Sequence, residues 1–527
     1  MSRWSAAPYR RFGIVLALLT AAGCATYSAR MASVREHLAV GDFDTALEVL
    51  EERSGDKDRL LLYLNKGLIL HYADRWQESN AMFQAGENLA AELYTKSISE
   101  GVASLLTSDN SISYRAEPFE MAMVPFYRSL NYIYLGERDE ALVEARKASV
   151  YLQQYTALTV AALGEDAATL HPAVLRHNAF LQYWSAMLYE WGGETNNAFI
   201  AYRHAAAAYR NAAAMLTVET PPWLGADLRR TGRKLGFRDE LVQLQKDYPV
   251  LFLPLRSDTP ESTAADQAGQ DPVVTEGAEP EVPPLPDGAT GETRRPRETT
   301  TAWQEGAGWG DDAGSGGEVV LLLEFGYVPQ KIQTEFNLPI LETEHYQDYD
   351  DWSHQLSLRM EPGWAAPAGT KIKYWLRVAT PLLVDDPPPV QSARVSVGTG
   401  HGHAWVVPVE DTAGRAQVNF DAKAGAITMK TIARALVKYA ASREADKVNG
   451  TVGSLVNLFG AATETADTRS WLGLPYSIGM ARWHLAPGDY ELQVELVGSR
   501  GETVARETIP HVIVRQGDWV FFSRRVF

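Results

Sequence analysis

Apolar positions along the chain follow two regimes. Between about residues 30 and 250 they recur every three or four residues, as in Tyr183, Trp184, Met187, Leu188 and Trp191, which is the spacing of a buried helix face. From about residue 318 the period becomes two. In Ile372-Lys-Tyr374-Trp-Leu376-Arg-Val378 the apolar set alternates with Lys373, Trp375 and Arg377, which describes a strand with one buried face. Val319 to Phe325, Ala393 to Val397, Ala404 to Val409, Tyr490 to Val497, Val504 to Ile509 and Trp519 to Ser523 read as further strands. Pro487-Gly488-Asp489 and Gly498-Ser-Arg-Gly501 supply turns. Ile432, Leu436 and Tyr439 place a helix over Thr431 to Ala441 inside this β region.

Residues 254–317 belong to neither regime. Their Pro, Gly, Thr, Glu, Asp and Ala cannot bury enough apolar surface to offset the entropy of ordering, so a disordered linker is expected. As a coil of about 60 residues it separates its ends by roughly 40 to 50 Å, leaving two folded parts free to move independently. The expected fold class is multidomain α + β. It comprises a leader at 1–23, a helical hairpin bundle at 24–253, the linker at 254–317 and a mostly antiparallel, sandwich-like β domain of about eight strands at 318–527.

One phrase occurs four times in the helical half: Gly41-Asp-Phe-Asp-Thr-Ala46, Asp74-Arg-Trp-Gln-Glu-Ser79, Gly136-Glu-Arg-Asp-Glu-Ala141 and Gly193-Glu-Thr-Asn-Asn-Ala198. Each is a polar turn with a small residue five positions on. Twelve residues before each small residue lie Val34, Gly67, Ser129 and Ala186, and three beyond those come His37, Leu70, Tyr132 and Tyr189. Small residues let two helices of a hairpin approach closely while larger neighbours fill the groove. This resembles the tetratricopeptide pattern. Positions 46 and 79 are 33 residues apart, near that repeat's period, but the later intervals are longer and lack the closing proline. The expectation is a compact bundle of such hairpins, not a regular superhelix. Any aromatic residues lining a concave face would hold a peptide or helix of a partner, with Tyr132 and Tyr189 as candidates.

Sixty-six acidic and forty-nine basic residues give a formal charge of −17, which disfavours nucleic acid as a partner. The single cysteine excludes an intramolecular disulfide, a structural Cys zinc site and a CxxC redox pair. Its position explains it. Arg3, Arg10 and Arg11 precede the short apolar run Phe12 to Thr20, and Ala21-Ala22-Gly23-Cys24 follows. This resembles a bacterial lipoprotein signal, with Ala21 where Leu is usual. The resemblance implies cleavage after Gly23 and lipidation of Cys24, and Ala25 at the next position implies sorting to the outer membrane, facing the periplasm.

Further marks are Tyr114, Glu117, Phe119 and Glu120, then Tyr127, Leu130-Asn131-Tyr132 and Val143-Glu144-Ala145-Arg146. In the β half they are Ala466-Asp467-Thr-Arg469-Ser-Trp471, Leu474-Pro475 and Leu485-Ala-Pro-Gly488. With these marks the chain resembles a family of uncharacterised proteobacterial lipoproteins with a tetratricopeptide-like N-terminal half and a β-rich C-terminal half. That resemblance implies no enzymatic activity and a weak association with cell-wall synthesis.

Motifs that would carry chemistry are incomplete. In Gly398-Thr-Gly400-His401-Gly402-His403 a histidine replaces the third glycine of a dinucleotide loop, and two imidazoles do not complete a zinc site. Glu344, His345, Asp348, Asp350, Asp351 and His354 match no calcium loop. Asp467, Arg469 and Trp471 read as an ion pair beside a packed indole, with an interaction site as the other reading. The expected protein is a non-enzymatic, lipid-anchored envelope scaffold binding an unidentified protein partner, without cofactor or metal. A peptidoglycan-binding module is the alternative.

Overall fold

The computed structural model describes residues 26–97, 112–163, 178–253, 316–341, 371–398, 402–448 and 465–527. The leader, Cys24, residues 254–315 of the linker expected at 254–317, the acidic-aromatic stretch at 344–354 and His401 lie outside the described residues, while Gly317, expected in that linker, opens the first strand.

Helices form a row through the first half: α1 (Tyr27–Ala39), α2 (Phe43–Arg53), α3 (Arg59–Tyr72), α4 (Trp76–Ser97), α5 (Pro118–Leu135), α6 (Arg138–Leu163), α7 (Ala179–Trp191), α8 (Thr195–Ala212), α9 (Leu224–Leu235) and α10 (Arg238–Asp247). Each packs on the next in the row. All four repeated phrases sit at hairpin turns. Gly41, Asp74, Gly136 and Gly193 take positive φ of 74, 57, 76 and 77°. The amide that follows each one returns to a carbonyl in the preceding helix: Asp42 to His37 (2.9 Å), Arg75 to Leu70 (2.9 Å), Glu137 to Tyr132 (2.8 Å) and Glu194 to Tyr189 (2.8 Å). Carbonyls otherwise orphaned at the helix end are thereby satisfied. Ala46, Ser79, Ala141 and Ala198 are fully buried. Ser79 Oγ donates to the Gly67 carbonyl at 2.6 Å, and a Cβ at Gly67 would stand 2.7 Å from the Phe83 ring.

A fifth turn, at Gly236 (φ 76°), repeats this geometry with Phe237 N bonded to Gly232 O at 2.9 Å. Its small position holds Leu241. The size is exchanged across the hairpin, because a Cβ on Gly232 would meet Leu241 Cδ2 at 2.8 Å.

Strands β1 (Gly317–Phe325), β2 (Gln330–Leu341), β3 (Ile372–Val384), β4 (Val390–Val397), β5 (His403–Trp405), β6 (Val407–Glu410), β7 (Ser477–Leu485), β8 (Gly488–Gly498), β9 (Thr503–Val514) and β10 (Trp519–Val526) form three sheets. Their orders are β10-β1-β7-β6, β5-β4-β8-β9 and the two-stranded ribbon β2-β3. The β1–β10 pairing is parallel; the other pairings among the described residues are antiparallel. Helix α11 (Thr412–Val448) packs Ile432 and Leu436 on Leu338, Leu376 and Val378 of the ribbon.

Every residue of β1 is buried. Val319, Leu321 and Leu323 join Val395, Val494 and Leu496 of the second four-stranded sheet in one cluster. Val320 and Leu322 join the helices' own core with Phe126, Trp184, Trp471 and Phe521. This corrects the expectation of two independently moving parts. The mixed α + β composition stands, but the halves share a core, because a strand apolar on both faces needs cover on both sides.

Four local readings also change. The run Ala404 to Val409 divides between β5 and β6, which belong to different sheets. The helix expected at Thr431 to Ala441 extends over Thr412–Val448, and the strands β2 and β7 were not anticipated. Arg482 and His484 break the apolar run of β7, while Pro339 and a polar face disguise β2.

Candidate functional site

Aromatic side chains on the inner side of the helical row face the protein's own strands. Trp184 and Trp191 lie edge-on to Phe521, with centroids 5.2 and 5.8 Å apart. Tyr72 and Tyr127 each donate to Glu324 Oε2 at 2.7 Å. Glu324, in β1, is wholly buried, and its other oxygen accepts from Ser523 Oγ at 2.5 Å. Burial above all raises both phenols well above their ordinary pKa, so they remain protonated donors. Arg525 Nη1 lies 3.7 Å from the Glu324 carboxylate, and Arg525 also donates to the carbonyls of Gly473 (3.2 Å) and Leu474 (3.3 Å). Burial opposes the charge on Arg525, but Tyr72, Glu324 and Tyr127 outweigh it and raise its pKa.

A second seam centres on Arg482 in β7, also wholly buried. Its Nε donates to Glu318 Oε2 at 2.9 Å, and its Nη1 donates to Asp227 Oδ2 at 2.8 Å and Tyr183 OH at 3.1 Å. The guanidinium lies 4.5 Å over the Trp519 ring. Burial pushes the Glu318 carboxyl up, but the positive charge of Arg482 prevails and holds it at about 2. Asp227 also accepts from Arg230 at 2.6 Å, and Arg230 is bidentate to Glu190 at 2.7 and 2.8 Å.

At the third junction, α5, α11 and the root of the ribbon meet the loop preceding β7 around a cleft of about 30 Å³. Glu117 and Glu120 form a capping box at the start of α5, with Glu117 N donating to Glu120 Oε2 at 2.8 Å. Tyr114 OH donates to the same oxygen at 2.7 Å, and Trp471 N to Glu120 Oε1 at 2.7 Å. Residues 114–120 and 466–471, separate marks in the sequence, are thus joined. Lys423 pairs with Glu117, and Lys331 Nζ donates to the Arg469 carbonyl at 3.1 Å. Burial would raise the Glu117 carboxyl, but Lys423 and Lys331 hold it below its usual range. Burial, reinforced by the charge of Glu117, raises Glu120. Asn419 Oδ1 and Ser470 Oγ, both buried in the lining, have no protein partner among the described residues. The space suits about two water molecules, which those atoms and the lysines can orient.

Asp467, Arg469 and Trp471 are brought to the same junction. Arg469 Nη2 lies 2.7 Å from Asp467 Oδ2, and its Nη1 donates to the Ile112 carbonyl at 2.9 Å. Trp471 is fully buried, edge-on to Phe83 and Tyr127. Tyr132 and Tyr189 are not part of this cluster. Their carbonyls close hairpin turns, and their half-buried rings lie 6.0 Å from Arg128 and Arg146. Glu318, Glu324 and Arg482 escaped the sequence reading, although each interrupts an apolar strand with a charge that demands a buried partner.

The ribbon differs from these seams. Among the described residues it has two strands, Trp375 is 54% exposed, and Ile332, Ile372 and Leu382 are also exposed. His403 is an exposed residue of β5. Among the described residues no group of three or more His, Cys, Asp or Glu side chains could hold a metal ion, and no helix is long and apolar enough to cross a membrane. A scan against protein-family models finds no match to the chain, and a search of curated proteins finds no relative.

Proposed function

We propose that this chain is a lipid-anchored lipoprotein of the outer membrane, facing the periplasm, that acts without catalysis as a scaffold for a protein partner. We read its hairpins as tetratricopeptide-like and its two four-stranded sheets as sandwich-like, in keeping with the proteobacterial lipoprotein family that the sequence resembles. The inner side of the helical row is filled by β1 and β10, so the hairpins here hold the β half and the partner docks elsewhere. The observation that carries this reading is the set of exposed apolar side chains on the β2-β3 ribbon, Trp375 above all, with Ile332, Ile372 and Leu382. Exposed apolar side chains gain binding energy when a partner covers them, and a large aromatic such as Trp375 is the residue type that dominates such contacts.

The test is in-cell photocrosslinking from position 375, with membrane fractionation of the wild type and of Cys24→Ala. A reproducible protein adduct that depends on position 375 supports the scaffold, and loss of the membrane fraction in Cys24→Ala supports the anchor. The exposed Trp375 ring also favours a second reading, stacking on a cell-wall sugar. Cosedimentation with sacculi that Trp375→Ala abolishes, without any protein adduct, would replace the scaffold with a glycan-binding module.

A further inference from the structure

We propose that the molecule is held with one particular face on the bilayer: the face where α1 begins, carrying Thr26, Arg53 and Lys57. This rests on lipidation of Cys24 as proposed above, and it adds an orientation and a lipid contact surface that the anchor alone does not specify.

The argument starts from chain length. Two peptide units separate Cys24 from Thr26, so whatever their conformation the two Cα atoms lie within about 7 Å of each other. Thr26 is not the end of a tether. Its hydroxyl caps α1 by accepting from Ala29 N at 3.4 Å. Tyr27 N donates to Thr468 Oγ1 at 3.1 Å, and Tyr27 OH accepts from Asn65 at 3.2 Å. Tyr27, Met31, Val34 and Leu38 bury one face of α1 in the common core. An acyl chain on Cys24 therefore has no slack by which the body could tumble away from the headgroups.

Hydrogen bonds identify the neighbours of this point. Arg30 donates to the Arg53 carbonyl at 2.9 Å, and Arg53 donates to the Arg30 carbonyl at 3.0 Å. The Lys57 carbonyl accepts from Tyr114 N at 2.9 Å and from Arg469 at 3.4 Å. Arg53 and Lys57 are exposed, and neither has a carboxylate partner among the described residues. The Lys57 ammonium and the remaining donors of Arg53 can meet lipid phosphates, beside the exposed acids Glu52 and Asp56.

The same geometry orients the rest of the chain. Helices touch mainly their neighbours in the row, so α10 stands at the end opposite α1. Four hairpin steps of about 9 Å place it roughly 30 to 40 Å from the anchor. The ribbon leaves from the anchored end, where Gln333 accepts from Ala466 N at 2.9 Å and Gln330 from Arg35 at 3.4 Å. A partner on its root would be met near the membrane surface.

The experiment uses the full-length lipidated protein in phosphatidylcholine and phosphatidylglycerol vesicles that contain a lipid spin-labelled at the headgroup. Lipidation consumes the native thiol, so Lys57→Cys, Arg53→Cys or Gln243→Cys each supplies the sole site for a nitrobenzoxadiazole dye. All three positions are exposed. Quenching several-fold stronger at positions 57 and 53 than at 243, in protein that floats with the vesicles, is the expected result. Equal quenching at all three in floating protein overturns the orientation and leaves the anchor intact. Protein that does not float overturns the anchor, and the orientation with it.

Discussion

Where the helices meet β1, β7 and β10, charged groups are buried and partnered on several sides; on the β2-β3 ribbon the ion pair of Glu335 with Arg377 sits in water beside exposed Trp375. Removing an ion from water costs several kcal/mol, which Coulomb attraction offsets only if every partner is in place. The Arg482 and Glu324 seams therefore tolerate one arrangement of helices and strands. The ribbon pair is worth less than about 1 kcal/mol and constrains little. Polar groups fix the body at the seams, while the ribbon leaves Trp375 open to solvent.

The strongest way to break this contrast is Arg482→Met, which leaves Asp227 and Glu318 facing each other without their shared cation. A loss of about 3 to 5 kcal/mol in urea denaturation is expected. A loss below about 1 kcal/mol would place the seam in the same class as a surface pair.

The pH dependence sharpens the point. The folded pKa of Glu318 is depressed from 4.5 to about 2, so its contribution is fully present above pH 4.5 and is lost as the pH falls toward 2. It amounts to at most about 3 kcal/mol. The difference in stability between wild type and Arg482→Met, followed by circular dichroism, should shrink over that window, and a constant difference would assign the depression to some other cause.

Glu324→Gln has a smaller expected effect. The amide keeps the shape but brings hydrogen donors against the Tyr72, Tyr127 and Ser523 hydroxyls and leaves Arg525 without a carboxylate. Destabilisation of about 2 to 3 kcal/mol should appear in the same denaturation assay. Trp375→Ala lies at the other end of the comparison. Its ring is more than half exposed, so stability should change by less than about 0.5 kcal/mol while partner capture by a photoreactive residue at exposed position 382 falls. A large stability loss at Trp375 would show that the ribbon face is structural after all.

The legible parts of the fold are those fixed over a few residues. Four of five hairpin turns could be found because a left-handed residue, a polar run and a small residue recur together. The fifth escaped because Leu241 occupies the small position and Gly232, nine residues earlier, compensates for it. Strand β1 was visible from its apolar run Val319 to Leu323, but β7, its partner in the same core, was hidden by Arg482 and His484. Within the candidate site the Asp467–Arg469 pair was visible at a separation of two, while Glu120 and Trp471, 351 residues apart, were marked separately with nothing to join them.

By itself the sequence determined the change of period from helix to strand, the hairpin turns and the position of the single cysteine, since each depends on neighbours along the chain. Only the tertiary structure decided that the helical row closes over the protein's own strands and that Arg482 lies between Asp227 and Glu318. A buried charge requires compensation, but whether its partner is 164 or 255 residues away is set by which surfaces pack together, and no local period records that choice.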